Sequence, residues 1–194
     1  VSRLQDEIKQ RKPFESLESE VFLNLVRTVD ALEHGTTELL KQSALTAAQY
    51  NALRILRGAG PHGLMCGEIS DRMLTRDPDV TRLLDRLERR ALITRAREKS
   101  DRRVVTTRIT DEGLTLLASL DEPVERIQRE QLGHMTRQDL DTLRRLLEIA
   151  RSPDAPAGEP PATPTSGDDA AGVRQAGAVG KPASKVRYSG LSEK

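Results

Sequence analysis

The sequence predicts a mainly α-helical protein with a small β-hairpin set into it, and three observations carry that reading. Leucine, valine and isoleucine recur at spacings of three and four up to Arg151, the period that gathers side chains on one face of a helix. Hydroxyl and carboxylate residues stand just ahead of several of these runs, where a helix needs acceptors for its first unpaired amides. One stretch, Leu92 to Ile109, changes to β-branched residues around a polar turn.

Taken in order, Leu4 and Ile8 permit a short helix ahead of Pro13. From Leu17 the spacing continues through Val21, Leu25, Val29 and Leu32 towards Leu39 and Leu40, a long amphipathic helix. Thr46-Ala47-Ala48-Gln49 has the form of a capping box, and Tyr50, Leu53 and Leu56 mark one buried stripe after it. The segment Gly58 to Gly63, with Pro61, ends that helix. A short helix from about Cys66 to Met73 puts Ile69 and Met73 on one face. Asp77 is placed to cap the next helix and Pro78 to take its first position, where a missing amide donor costs nothing. Val80, Leu83, Leu84 and Leu87 then form an i, i+3, i+4, i+7 stripe that ends near Arg90.

Leu92 to Arg97 and Arg103 to Ile109 read as the two strands of the hairpin, joined by Glu98-Lys99-Ser100-Asp101-Arg102. Thr110 caps a further helix with Asp111 and Glu112 in its first turn, acids that suit the positive end of the dipole. That helix carries Leu114, Leu117 and Leu120 and, past a kink or break expected at Pro123, Val124 and Ile127. Thr136 caps a last helix bearing Leu140, Leu143, Leu146, Leu147 and Ala150.

Composition bounds what such a chain does. Hydrophobic residues make up 36% and aromatics 2%, low for a wholly folded chain, so part of the sequence lies outside the core. Residues 152–194, where more than half of the 10 prolines fall among Ala, Gly, Ser and Thr, read as a disordered tail. With 31 Lys and Arg against 30 Asp and Glu the net charge is +1, so a polyanion-binding surface has to be local. The single cysteine, Cys66, excludes an internal disulfide framework and suits a reducing compartment. The opening stretch Val1 to Glu7 is too polar for a signal peptide and no apolar run spans a bilayer, so the expected location is cytoplasmic, without membrane association. His34, His62 and His134 stand apart with no partner at metal-ligand spacing, and neither a phosphate-binding glycine loop nor a nucleophile-elbow motif is present. The chain therefore reads as a non-enzyme with no cofactor and no metal.

Helix, short helix, helix and charged hairpin is the order of a winged helix-turn-helix, whose second helix enters a major groove. With the Val80–Leu87 stripe buried, the helical period turns Pro78, Arg82, Asp85 and Arg89 outward, flanked by Asp79, Thr81 and Arg86. Arginine forks suit guanine edges, an acid can accept from cytosine, and a methyl group suits thymine, although any amphipathic helix has a polar face. In the hairpin Arg95, Arg97, Lys99, Arg102, Arg103 and Arg108 face only Glu98 and Asp101, a concentration of like charge that a polyanion relieves. The DNA-contact candidates are accordingly Asp79, Thr81, Arg82, Arg86, Arg97, Lys99, Asp101, Arg102 and Arg103. The alternative is a winged-helix protein-interaction module whose basic wing meets an acidic partner.

The run Leu45-Thr46-Ala47-Ala48-Gln49-Tyr50, Val80-Thr81-Arg82-Leu83-Leu84-Asp85-Arg86-Leu87-Glu88, Asp101-Arg102-Arg103-Val104 and Ile109-Thr110-Asp111-Glu112-Gly113 resembles the MarR family of bacterial transcription regulators. The resemblance implies one domain over residues 1–151, with a DNA-reading lobe at about 45–110 and dimerisation helices at about 14–41 and 111–151. It implies a homodimer on double-stranded DNA with a pseudo-palindromic operator, a repressor by default, released by a small-molecule effector or an oxidant. It also implies that Asp101 holds Arg103 at the wing tip and that Arg103 enters the minor groove. The effector pocket would lie between the dimerisation helices and the lobe, near Arg27, His34, Tyr50 and Arg54, with no one residue singled out. Two departures matter: Ala91 stands where the family has glycine, and Cys66 lies at the short helix, away from the family's sensing thiol, which favours a packing role.

Overall fold

The computed structural model describes residues 2–76, 79–97 and 103–152. Among the described residues seven α-helices and three short strands follow one another: α1 (Arg3–Glu7), α2 (Leu17–Gln42), α3 (Ala47–Ala59), β1 (Leu64–Met65), α4 (Cys66–Arg72), α5 (Val80–Arg89), β2 (Ile93–Arg97), β3 (Val105–Ile109), α6 (Asp111–Leu132) and α7 (Arg137–Arg151). Residues 1–147 form one unit; the second begins at Glu148 and is described only to Ser152. The expected tail beyond Ser152 lies outside the described residues, and no described helix is long and apolar enough to cross a membrane.

Local chemistry sets the helix starts. Ser16, Thr46, Thr110 and Thr136 each accept an amide of the first turn, and at Thr46 the box closes because Gln49 Oε1 accepts the Thr46 amide at 3.0 Å. The helix expected to start at Asp77 and Pro78, positions outside the described residues, instead begins at Val80. Its cap is Asp79, whose Oδ1 accepts the Arg82 amide at 3.0 Å. Two aspartates flank Pro78, and the one next to the leucine stripe takes the role.

A single core joins Leu40 and Leu45, the α3 residues Ala52, Leu53 and Leu56, Ile69 of α4, the whole α5 stripe, Leu92 and Ile93, and Leu117, Leu120 and Val124 of α6. Of the kink or break expected at Pro123, the break is absent: α6 runs through it. A mid-helix proline costs about 3 kcal/mol, but Leu117, Leu120 and Val124 lie on one buried face, and burying each contributes about 1.5–3 kcal/mol.

The expected two-stranded hairpin is the larger part of a three-stranded antiparallel sheet in the order β1-β3-β2. Ile93 pairs with Ile109 and Arg97 with Val105, while Leu64 and Met65 add a third edge against Thr107 and Thr106. Gly113 belongs to this junction, since a Cβ there would overlap the Leu92 carbonyl oxygen. The turn that ends α5 passes through Ala91 at φ 56, the left-handed region where a side chain costs about 1–2 kcal/mol.

Candidate nucleic-acid interface

One face of α5 is fully committed to the core: Val80, Leu83, Leu84 and Leu87 are all buried. The opposite face therefore presents Thr81, Arg82, Arg86 and Arg89 to solvent. Asp79 does two things at the start of the helix, capping it and holding Arg82 Nε at 3.2 Å from its Oδ2. An exposed pair of this kind contributes about 0–1 kcal/mol, so a phosphate or base edge can take over the Arg82 fork. Thr46 and Gln49 at the start of α3 join Asp79, Arg82, Leu83 and Arg86 around a cleft of about 310 Å³. The neighbourhood of Thr46 and the α5 arginines was not legible in the sequence, where Thr46 appears only as a cap.

Asp85 departs from the outward role expected of it. Its carboxylate pairs with Arg95, and Glu88 takes the rest of that guanidinium, with Arg95 Nε donating to Glu88 Oε2 at 2.9 Å and the Arg95 amide to Glu88 Oε1 at 3.2 Å. Bonds to Glu88, then to Asp85, push Arg95 further into its charged range. Arg95 is thus withdrawn from the basic wing and fastens β2 to α5. Arg108 is engaged as well, donating through Nε to Pro61 O at 3.0 Å. Arg97 at the end of β2 and Arg103 just before β3 are both exposed. Lys99, Asp101 and Arg102 lie outside the described residues.

Behind the lobe is a second cavity of about 370 Å³, walled by Leu32, Thr36 and Leu40 of α2, Tyr50, Asn51 and Arg54 of α3, Leu74, and Val124, Gln128 and Gln131 of α6. Arg54 stacks over the Tyr50 ring at 5.8 Å. Of the four residues considered for an effector pocket, Tyr50 and Arg54 line this cavity, whereas Arg27 and His34 do not. Gln131 Nε2 donates to Leu32 O at 3.0 Å and ties α6 to α2 at its rim. Further along the same face of α3, Arg57 grips Asp121 of α6 with two bonds of 2.7 and 2.9 Å, which lowers the Asp121 carboxyl below its ordinary range.

Cys66 is half-buried at the start of α4, its Sγ 3.9 Å from Thr81 Oγ1 and packed against the core. Among the described residues no cluster of His, Cys, Asp and Glu could hold a metal ion.

Comparison with known proteins locates this geometry. The MarR family model matches residues 45–105, the span from the residue before the α3 cap to the first residue of β3. The HTH-type transcriptional repressor MdtR of Bacillus subtilis (strain 168) is 33% identical over 102 residues, 53% of this chain; the chain spans 64% of that relative's length. A MarR transcription factor from Planctomyces limnophilus, solved as a crystal structure, is 44% identical, with a TM-score of 0.55 over 71% of this chain and 99% of its own. The S. aureus MepR–DNA complex shares the fold at 22% identity, TM-score 0.62, over 68% of this chain and 97% of that one. These similar proteins are transcription regulators, not enzymes.

Proposed function

The chain belongs to the MarR family of transcriptional regulators, and from that premise we propose that it is a sequence-specific DNA-binding repressor that acts as a homodimer and is released by a small molecule. The observation that carries the reading is the outer face of α5. A helix whose apolar stripe is wholly buried sets Thr81, Arg82, Arg86 and Arg89 outward, and Arg95 locks the wing strand to it through Asp85 and Glu88. Arg82 and Arg86 are assigned to the major groove or its phosphates; Arg97 and Arg103, with Lys99 and Arg102 of the turn, to the backbone and the minor groove. Asp79 pairs with Arg82 Nε at 3.2 Å, and Asp101 is assigned a similar service to Arg103.

Dimerisation is supported by what α2 leaves uncovered. Leu17, Val21, Phe22, Val26 and Val29 are exposed, and α7 has no buried residue along its length. A second copy covers such rows in a symmetric, self-complementary way. The effector is assigned to the 370 Å³ cavity, where an occupant would bear at once on the scaffold helices and on α3 of the lobe. Repression is the sense given by the name of the similar MdtR.

The test is an electrophoretic shift of the full chain on the DNA upstream of its own coding sequence. A discrete complex resistant to competitor DNA is expected, and sedimentation should give a dimer; a monomer with no preference over scrambled duplex contradicts the proposal.

A further inference from the structure

We propose that Arg90 is a positioning residue for DNA reading: by gripping the C-terminal end of α2 it holds the recognition helix α5 at a set place on the dimerisation scaffold, and so selects the half-site spacing. The proposal rests on the reading of the chain as a dimeric DNA-binding regulator.

Arg90 is the C-cap of α5, and its guanidinium reaches across to a different helix end. Nη1 donates to Ala44 O at 2.6 Å and Nη2 to Ser43 O at 3.0 Å. Ser43 is the C-cap of the 26-residue α2, and Ala44 follows it at φ 50, its amide returned to Lys41 O. The carbonyls of such a turn have no helical partner and lie at the negative end of the helix dipole. A planar cation with two parallel donors meets both the bonds and the field, which an ammonium meets less well.

The arginine is itself held. Arg90 N bonds to Leu87 O, Ala91 N to Glu88 O and Leu92 N to Leu87 O, with Ala91 in the left-handed region, so the Arg90 backbone has little freedom. Two tight turns, each containing an alanine at positive φ, are thereby joined through one side chain. At its other end α2 carries the exposed row from Leu17 to Val29 assigned to the second copy. A shift of α5 along α2 changes the distance between the two recognition helices once for each subunit, and half-site spacing mirrors that distance. A solvent-exposed bond adds little to stability; its effect on register is geometric.

The experiment uses the full chain. Duplexes are enriched from a random pool, the half-sites are then moved apart or together by one and two base pairs, and Kd is measured at each spacing for the parent, Arg90→Ala and Arg90→Lys. Arg90→Ala is expected to reduce the discrimination between the selected and shifted spacings by about threefold or more, the low end of the net contribution of one hydrogen bond, with dimer and melting temperature unchanged. Arg90→Lys, which keeps the charge but not the fork, should fall between. An unchanged spacing profile in both variants overturns the proposal, and so does an equal loss at every spacing, which is the mark of a merely structural residue. Failure of the parent to enrich any palindrome would instead remove the DNA-binding reading, and the proposal with it.

Discussion

Helices α5 and α7 are alike in sequence and opposite in fate. Both are short and arginine-rich, and both carry aliphatic residues three and four apart; yet the α5 stripe is buried to 6% exposure or less while α7 has no buried residue. Amphipathicity therefore tells which face of a helix seeks cover, not where the cover comes from. For α5 it comes from α3, α4 and β2 of the same chain; for α7 the assigned cover is a second copy.

The sharpest way to break this contrast is to truncate one leucine on each helix. Leu84→Ala should lower unfolding stability by about 2–5 kcal/mol, the usual range for a buried leucine. Leu146→Ala, at a site 51% exposed, should change subunit stability by about 0.5 kcal/mol or less while weakening the dimer. Urea unfolding at two protein concentrations separates the cases. If the Leu146 variant loses as much as the Leu84 variant, independently of concentration, α7 packs within its own subunit.

A smaller effect is expected where α5 ends. Ala91 pays for the left-handed turn, so Ala91→Gly should raise the melting temperature, by the equivalent of about 1 kcal/mol. No change would mean that the turn relaxes to another conformation.

The smallest effect concerns the Arg57–Asp121 brace between α3 and α6. Bonding to Arg57 depresses the Asp121 carboxyl in the folded state, so its contribution is complete above the ordinary aspartate value, about 3.9, and is lost as pH falls through the lowered folded value. Because both groups are partly exposed the contribution is about 1 kcal/mol or less. Asp121→Asn should therefore destabilise slightly at pH 7, and the difference from the parent should shrink as pH falls through the lowered folded value. A difference that persists in acid would show that the aspartate acts through packing instead.

What the sequence made legible follows the range of the interactions. Thr46 with Gln49, Thr110, Thr136 and the four-residue stripe of α5 act within one or two helical turns, and each stands where the pattern put it. Strand β1 did not show, because Leu64 and Met65 are too few for alternation to register and are strand only through β3. Asp85 was read as outward because helical period alone cannot know that Arg95, ten residues on, folds back over that side. The pairing of Arg90 with Ser43 and Ala44 spans more than forty residues and has no local signal at all. Pro123 was overvalued as a breaker because the local pattern does not show how well the face of Leu117, Leu120 and Val124 is buried against the rest of the core.

The central claim is that α5 and the wing read DNA together. Its most direct test is a fluorescence-anisotropy titration of the parent, Arg82→Ala and Arg103→Ala against an enriched palindrome and a scrambled duplex at two salt concentrations. The parent should prefer the palindrome and weaken steeply with salt. Arg103→Ala should bind both duplexes more weakly, by about 1–3 kcal/mol on the palindrome, with a shallower salt dependence; Arg82→Ala should mainly narrow the preference between them. Parent-like binding by both variants would contradict the account.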